Sequence, residues 1–188
     1  MDADRKLVAD VLGHRPGAFE QLVRQYQGLC WHVIQRMVRH PEDTRELCQE
    51  CFLRVHRKLH QYRFDAPLKS WIGQVAYSVA RRHLERKRIP LVDDDAGEEG
   101  DRLVERVADP ADVAASLEGE EQARALHEAI EALPPLPRML LTLHYLDELP
   151  IAEIAAMTGL AEGTIKSHLF RSRQRLRARL QSRLEVAA

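Results

Sequence analysis

Cys48 and Cys51 stand in a C-x-x-C spacing, and His56 and His60 follow in an H-x-x-x-H spacing. These are residue types and intervals from which tetrahedral zinc sites are built. Helical periodicity through the whole stretch argues against that chemistry. At about 100° per residue the four side chains point in different directions along about 18 Å of one helix axis. Only four residues separate the two pairs, too few for the hairpin that would fold cysteines over histidines. Cys51 instead fits the apolar stripe as a small hydrophobe. Three cysteines, an odd number, suit reduced thiols better than a disulfide framework. There is no glycine-rich phosphate loop, no G-x-S-x-G, and no histidine set beside a nucleophile or paired carboxylates. The sequence therefore predicts no catalytic residue, no metal and no cofactor, and an enzyme is not expected. A thiol-sensing role for Cys30, Cys48 and Cys51 stays open beside any other function.

The chemistry the chain does carry is recognition of a polyanion. Residues 150–157 read as a short helix with Ile151, Ile154 and Ala155 on its apolar stripe, and Thr158-Gly159-Leu160 as a turn in which Gly159 can take a positive φ. A second helix opens near Gly163-Thr164, burying Ile165, Leu169, Leu176 and Leu180. Its other face holds Lys166, Ser167, His168, Arg171, Arg173, Arg175, Arg177 and Arg179. Two short apolar helices across a tight turn, the second one basic, have the layout of a DNA-reading helix-turn-helix. From 161 to 188 there are seven Lys/Arg against two Asp/Glu, about +5. A merely solvated basic helix would leave the upstream helix and glycine turn unexplained.

A second cationic cluster ends the helix expected over residues 68–87, where RRHLERKR at 81–88 holds five basic groups against one acid. Trp71 and Tyr77 precede it, and aromatics with cations suit single-stranded or melted nucleic acid. Upstream, Glu46, Gln49 and Glu50 form a polar, acidic face beside Leu53 and His56. Such a mixture on a helix already packed by its other side can dock a partner protein, or simply face solvent.

These groups need a helical frame, and the sequence supplies one. Apolar residues recur at helical spacing over 4–12, 18–39, from Asp43 or Thr44 to 60, 68–87, 113–133, 138–146 and 150–157, and strand alternation is absent. Between 89 and 112 the pattern lapses, and residues 93–121 carry twelve acids against two arginines, near −10, which the formal net charge of −1 conceals. The expected architecture is all-α, with two small helical domains, 1–89 and 113–188, joined by a flexible acidic linker over 90–112. No apolar run approaches a membrane span and the first residues lack a signal-peptide profile, so a cytoplasmic protein without membrane insertion is expected.

In this order the parts resemble a bacterial RNA polymerase sigma factor of the extracytoplasmic-function (ECF) type. The motifs that carry the resemblance are AFEQLVRQY, ELCQECFLRVHRKL, FDAPLKSWIGQVAYSVARRHLERKR and PIAEIAAMTGLAEGTIKSHLFRSRQRLR, spread over residues 8–182 apart from the linker. The resemblance implies sigma regions two and four. It places Glu46, Gln49, Glu50, Phe52 and His56 where such proteins dock the clamp helices of the polymerase β′ subunit, and implies a further contact with the β flap. It puts Arg63, Phe64, Asp65 and Lys69 in the loop that captures a flipped base of the −10 element, and Trp71, Gln74, Tyr77, Ser78, Arg81 and Arg82 along the melting strand. Lys166, Ser167, Phe170 and Arg171 fall on base-reading positions for the −35 element, with Thr164, His168 and Arg173 placed for its phosphates.

The chain departs from the usual pattern at Ser78, where many relatives carry Asn, at Phe64 and Pro67, which replace smaller residues, and at Cys48 and Cys51. The resemblance further implies core RNA polymerase and promoter DNA as partners, with restraint by an anti-sigma factor. No sensory extension is expected after the recognition helix. The competing expectation is a free-standing helix-turn-helix regulator that would bind duplex DNA as a dimer without polymerase.

Overall fold

The computed structural model describes residues 2–92 and 120–187. Among them eight α-helices and one 3-10 turn form, with no strand. The greater part of the expected linker, and the start of the helix expected from 113, lie outside the described residues. The chain divides into two compact units, Met1–Ile89 with Ala152–Leu160, and Pro90–Ile151 with Ala161–Ala188.

In the first unit, α1 (Asp2–Leu12), α2 (Ala18–Val38), α3 (Pro41–Lys58) and α4 (Leu68–Arg86) pack with a 3-10 turn, Leu59–Gln61, between the last two. Leu22, Ile34, Met37, Leu59, Leu68, Ile72 and Leu84 are fully enclosed and form the core on which α2, α3 and α4 converge. α1 adds Leu7, Val8 and Val11, and the Tyr26 hydroxyl donates to Asp4 Oδ1 at 3.2 Å. Burial, reinforced by the Asp4 charge, pushes the Tyr26 phenol well above its ordinary range.

α3 starts earlier than Asp43. Pro41 occupies its first turn, where a missing N–H costs nothing, and the cap is His40, whose Nδ1 accepts from the Asp43 N–H at 3.4 Å. Asp43 and Thr44, the two residues from which the helix is expected to start, have side chains that could cap it but are otherwise engaged. Asp43 accepts from Lys87 Nζ at 2.6 Å, and that ammonium holds its carboxyl below the usual range. Thr44, buried, donates to Gln35 Oε1 at 2.7 Å and ties α3 to α2.

Buried Gly73 in α4 lets another side chain come against the helix backbone. A Cβ there would collide with the sulfur of Met157, which belongs to the same unit.

The second unit holds α5 (Glu120–Glu131), α6 (Pro135–Tyr145) and α8 (Glu162–Ala187), while α7 (Ile151–Thr158) belongs almost wholly to the first. α6 begins at Pro135, three residues before the position expected from sequence, because Pro135 and Pro137 both fit a first turn that needs no N–H donors. Leu136, Met139, Leu140, Leu141 and Leu143 of α6 are buried, as are Ile165, Leu169 and Leu176 of α8. Leu180, also expected in that stripe, is half-buried. Ser172 fills the gap between Leu169 and Leu176 at 2% exposure, a buried hydroxyl the apolar pattern did not predict.

Candidate docking groove and nucleic-acid interface

On the first unit, α2 and α3 leave a groove of about 720 Å³ between them. Its walls are mainly apolar, with Phe19, Val23 and Trp31 from α2 and Cys48, Phe52 and Leu53 from α3. Leu53 is 57% exposed and Trp31 37%, large apolar surface that folding alone leaves uncovered. Gln49 also lines the groove. Glu46 and His56 are exposed at its side, Glu50 is paired with Arg54, and the His56 ring meets Phe19 edge-on at 4.8 Å. At roughly 100° per residue, Glu46, Gln49, Glu50, Phe52, Leu53 and His56 fall within about 160° of arc. The five predicted docking residues therefore share one face. Trp31 was missed because it stands off the apolar stripe of α2. The available signal was an indole on the polar side of that helix, three residues after Gly28.

Of the three cysteines only Cys48 lines this groove. Cys30 and Cys51 are fully buried with sulfurs 3.8 Å apart, and all three thiols are free. The contact with Cys51 and burial push the Cys30 thiol far up, and burial pushes Cys48 up to about 11. Thiols so held are poor nucleophiles at neutral pH. Cys51 packs as the small hydrophobe its stripe implies. Among the described residues no group of three His, Cys, Asp or Glu could hold a metal ion.

The loop between the 3-10 turn and α4 is a compact aromatic structure. The Tyr62 hydroxyl donates to the carbonyl of Ala66 and closes the loop on itself. The Tyr62 ring lies 4.6 Å from Phe64 and 5.4 Å from Trp71. Phe64 has φ 63°, a left-handed backbone that costs a non-glycine residue about 1–2 kcal/mol. The aromatic pair returns about 0.5–1.5 kcal/mol. Arg5 of α1, its Cζ 5.1 Å from the Phe64 centroid, adds about 0.5–1 kcal/mol at an exposed site. These terms are of one size, so the loop keeps its shape only while both neighbours hold the ring.

Along α4, Trp71, Gln74, Ser78, Arg81 and Arg82 fall within about 100° of arc. All are exposed except Trp71, which is half-buried, and Arg81 pairs with Glu85 at 3.2 Å. Arg63 and Asp65 are exposed in the loop. Two predicted residues stand apart from this surface. Tyr77 is 6% exposed with its phenol raised by burial. Lys69 lies on the opposite side of the helix, its Nζ 3.2 Å from Glu153.

After α7 the chain turns at Gly159, φ 74°, whose N–H donates to Ala155 at 2.8 Å. Thr158 Oγ1 donates to the Ile154 carbonyl at 2.8 Å and accepts from the Leu160 N–H at 3.3 Å. On α8, Ser167, Phe170 and Arg171 lie opposite the Ile165–Leu169–Leu176 stripe, with Thr164 and His168 on one flank and Lys166 and Arg173 on the other. Gln174 shares the central arc and is exposed; sequence reasoning passed over it as an uncharged residue among arginines. Burial, and then the Arg171 charge, hold the His168 imidazole below its ordinary value.

Comparison with known proteins gives this geometry a family. Residues 22–89 match the model "Sigma-70 region 2" and residues 123–176 match "Sigma-70, region 4". The chain is 31% identical to the RNA polymerase sigma-H factor of Pseudomonas aeruginosa, over 99% of this chain and 98% of that one. It is also 31% identical to the ECF RNA polymerase sigma-E factor of Escherichia coli (strain K12), over 95% and 94%. Among solved structures the fold is like that of CnrH in complex with the cytosolic domain of CnrY, with TM-score 0.64 at 20% identity over 96% of this chain and 98% of that one. It is also like the sigma factor RpoE in complex with the anti-sigma factor NepR from Bartonella quintana, with TM-score 0.57 at 19% identity over 88% and 98%. Two matched regions in order, with likeness along nearly the whole of its relatives, mean that the chain belongs to the ECF type of RNA polymerase sigma factor.

Proposed function

We propose that residues 1–89 are a region-two module, residues 90–112 a tether, and residues 113–188 a region-four module, and that the surfaces described above divide the work of a sigma factor. The α2–α3 groove and the face of Glu46, Gln49, Glu50, Phe52 and His56 dock the β′ clamp helices of core RNA polymerase. The second module contacts the β flap. Arg63, Phe64 and Asp65 with the α4 arc read and melt the −10 element, Tyr77 supporting that helix from within and Lys69 held off the surface by Glu153. Ser167, Phe170, Arg171 and Lys166 read −35 bases, while Thr164, His168 and Arg173 take its phosphates. The observation that carries this reading is the uncovered apolar groove beside an acidic helix face, on the same unit as the aromatic loop.

Two weak contacts joined on one scaffold gain apparent affinity through effective concentration, so promoter selectivity belongs to the assembled holoenzyme. Synthesis of RNA is the polymerase's chemistry, and this chain is not an enzyme. It works in the cytoplasm, and among the described residues no helix is long and apolar enough to cross a membrane. An anti-sigma factor restrains it by covering the groove. Support comes from two solved structures of like fold, one in complex with the anti-sigma factor NepR and the other in complex with the cytosolic domain of CnrY.

Mixing the chain with core RNA polymerase and a pool of promoter fragments tests the reading. Selective transcripts that depend on the chain are expected; tight palindromic DNA binding without polymerase would replace it with the regulator. Within that assay, Arg171→Ala is expected to weaken −35-dependent initiation by about tenfold or more, the worth of one good base contact, and to leave core binding intact. Equal loss of both would end the division of labour.

His168 supplies a pH dependence. Held below its usual pKa it is neutral at pH 7, whereas a phosphate contact favours the imidazolium. Binding the −35 duplex then takes up a proton, and affinity should rise as pH falls from about 8 to 6. His168→Gln should flatten that slope. Folding responds with the opposite sign: a depressed histidine pKa means stability lost as pH falls. Loss of affinity on acidification, in protein that circular dichroism shows folded, would remove His168 from the phosphate contacts.

A further inference from the structure

Helix α1 lies outside the matched region-two segment, residues 22–89, yet reaches the candidate −10 loop through Arg5. Its apolar side is fixed independently, by buried Leu7, Val8 and Val11 and by the bond from Tyr26 to Asp4. Arg5 makes none of that anchorage. It projects from the exposed side of α1 and places its guanidinium over the Phe64 ring. Behind Phe64 stands Tyr62, and behind Tyr62 stands Trp71 on the arc of α4. One series of contacts, Arg5–Phe64–Tyr62–Trp71, its rings tilted against one another, thus runs from α1 through the left-handed corner of the loop to the helix expected along the melting strand.

We propose that Arg5 is a positioning residue for −10 recognition, holding Phe64 against Tyr62 so that the loop keeps the shape that receives an unstacked base. The proposal rests on the assignment of this loop to the −10 element. A base taken out of its stack loses neighbours on both faces, and the site must replace them without first paying to order itself. Phe64 has no steric preference for its left-handed backbone. With Arg5 removed, the ring is held by Tyr62 alone, and the residue can relax to an extended backbone that opens the corner and turns the ring outward. Discrimination among −10 sequences falls in consequence, whereas docking to polymerase and reading of −35 are untouched, since neither uses this loop.

The test uses holoenzyme assembled from core RNA polymerase and the full chain, either unaltered or with Arg5→Ala, Phe64→Ala or both. The rate of open-complex formation is measured on promoters that differ only within the −10 element. Arg5→Ala should slow opening at the best −10 sequence by about two- to fivefold, the worth of one exposed cation–π contact. It should also narrow the ratio between the best sequence and its single-base variants. In the Phe64→Ala background Arg5→Ala should have no further effect, and thermal midpoints should stay with the unaltered chain's. An equal loss from Arg5→Ala with Phe64 present or absent overturns the proposal and makes Arg5 a direct phosphate contact. Loss that is uniform across −10 variants, or no loss at all, overturns it too. Failure of the unaltered holoenzyme to select promoters is a separate result, and would remove the sigma reading of the loop itself.

Discussion

Leu53→Asp should weaken binding of the chain to core RNA polymerase by about thirtyfold or more. Leu53 presents more of its surface to solvent than any other core-type side chain of α3 and forms one wall of the groove. Truncating an apolar anchor at the centre of an interface commonly costs about 2 kcal/mol or more, equivalent to roughly thirtyfold. Aspartate adds the loss of carboxylate hydration on docking and repulsion from the acidic face of Glu46 and Glu50. The same change costs the free protein little, because an exposed helix position away from packing shifts stability by about 0.5 kcal/mol. Fluorescence anisotropy of the labelled chain against core polymerase measures the loss, and the thermal midpoint checks that the fold survives. Ordinary core affinity in Leu53→Asp would move the docking surface off this groove. The same variant should also resist an anti-sigma factor that covers the groove, so one substitution reports on both proposed partners.

How much of this was written in the sequence depends on whether the determining contacts are local. The recognition helix was legible because its buried stripe repeats within one element, and Gly159 marked the turn by its chemistry. The polar face of α3 was legible for the same reason. The groove was not, because it needs Trp31 of α2 brought beside Leu53 of α3, a pairing that neither helix's own periodicity contains. Cys30 and Cys51 are a similar case: each reads alone as a small apolar residue, and only packing sets their sulfurs 3.8 Å apart. The cap of α3 was misplaced because Asp43 has the better capping chemistry, yet Lys87, forty-four residues along the chain, engages it. Lys69 looked like a loop cation for DNA, but its Nζ meets Glu153. Arg5 gave no local signal whatever, since its ring partner lies across the fold.

Arg138 is the clearest residue whose weight no pattern disclosed, and its loss should be the most damaging to the second unit. It reads as one more surface arginine at the start of an apolar helix, yet it is 3% exposed. Its Nη1 donates to the Leu133 carbonyl at 2.8 Å and to the Glu131 carbonyl at 3.2 Å. Those acceptors lie at and just past the end of α5, where helical carbonyls lack partners and the macrodipole favours a cation. Arg138→Met keeps most of the volume and removes the donors while leaving the Leu133 carbonyl buried and the Glu131 carbonyl half-buried. Two opposing terms then decide the sign. Relief of guanidinium desolvation favours methionine, whereas the buried Leu133 carbonyl left without its donor costs about 1–3 kcal/mol on top of the charged bonds lost. Because only one side of the interaction is removed, the second term prevails, and a net loss of about 3 kcal/mol is expected. Amide exchange in α6 should then quicken by roughly a hundredfold, and binding of the −35 duplex should fail at temperatures the unaltered chain tolerates. Arg138→Lys, a single charge without the fork, should fall between the two. Unchanged exchange in Arg138→Met would mean that desolvation cancels the hydrogen bonds.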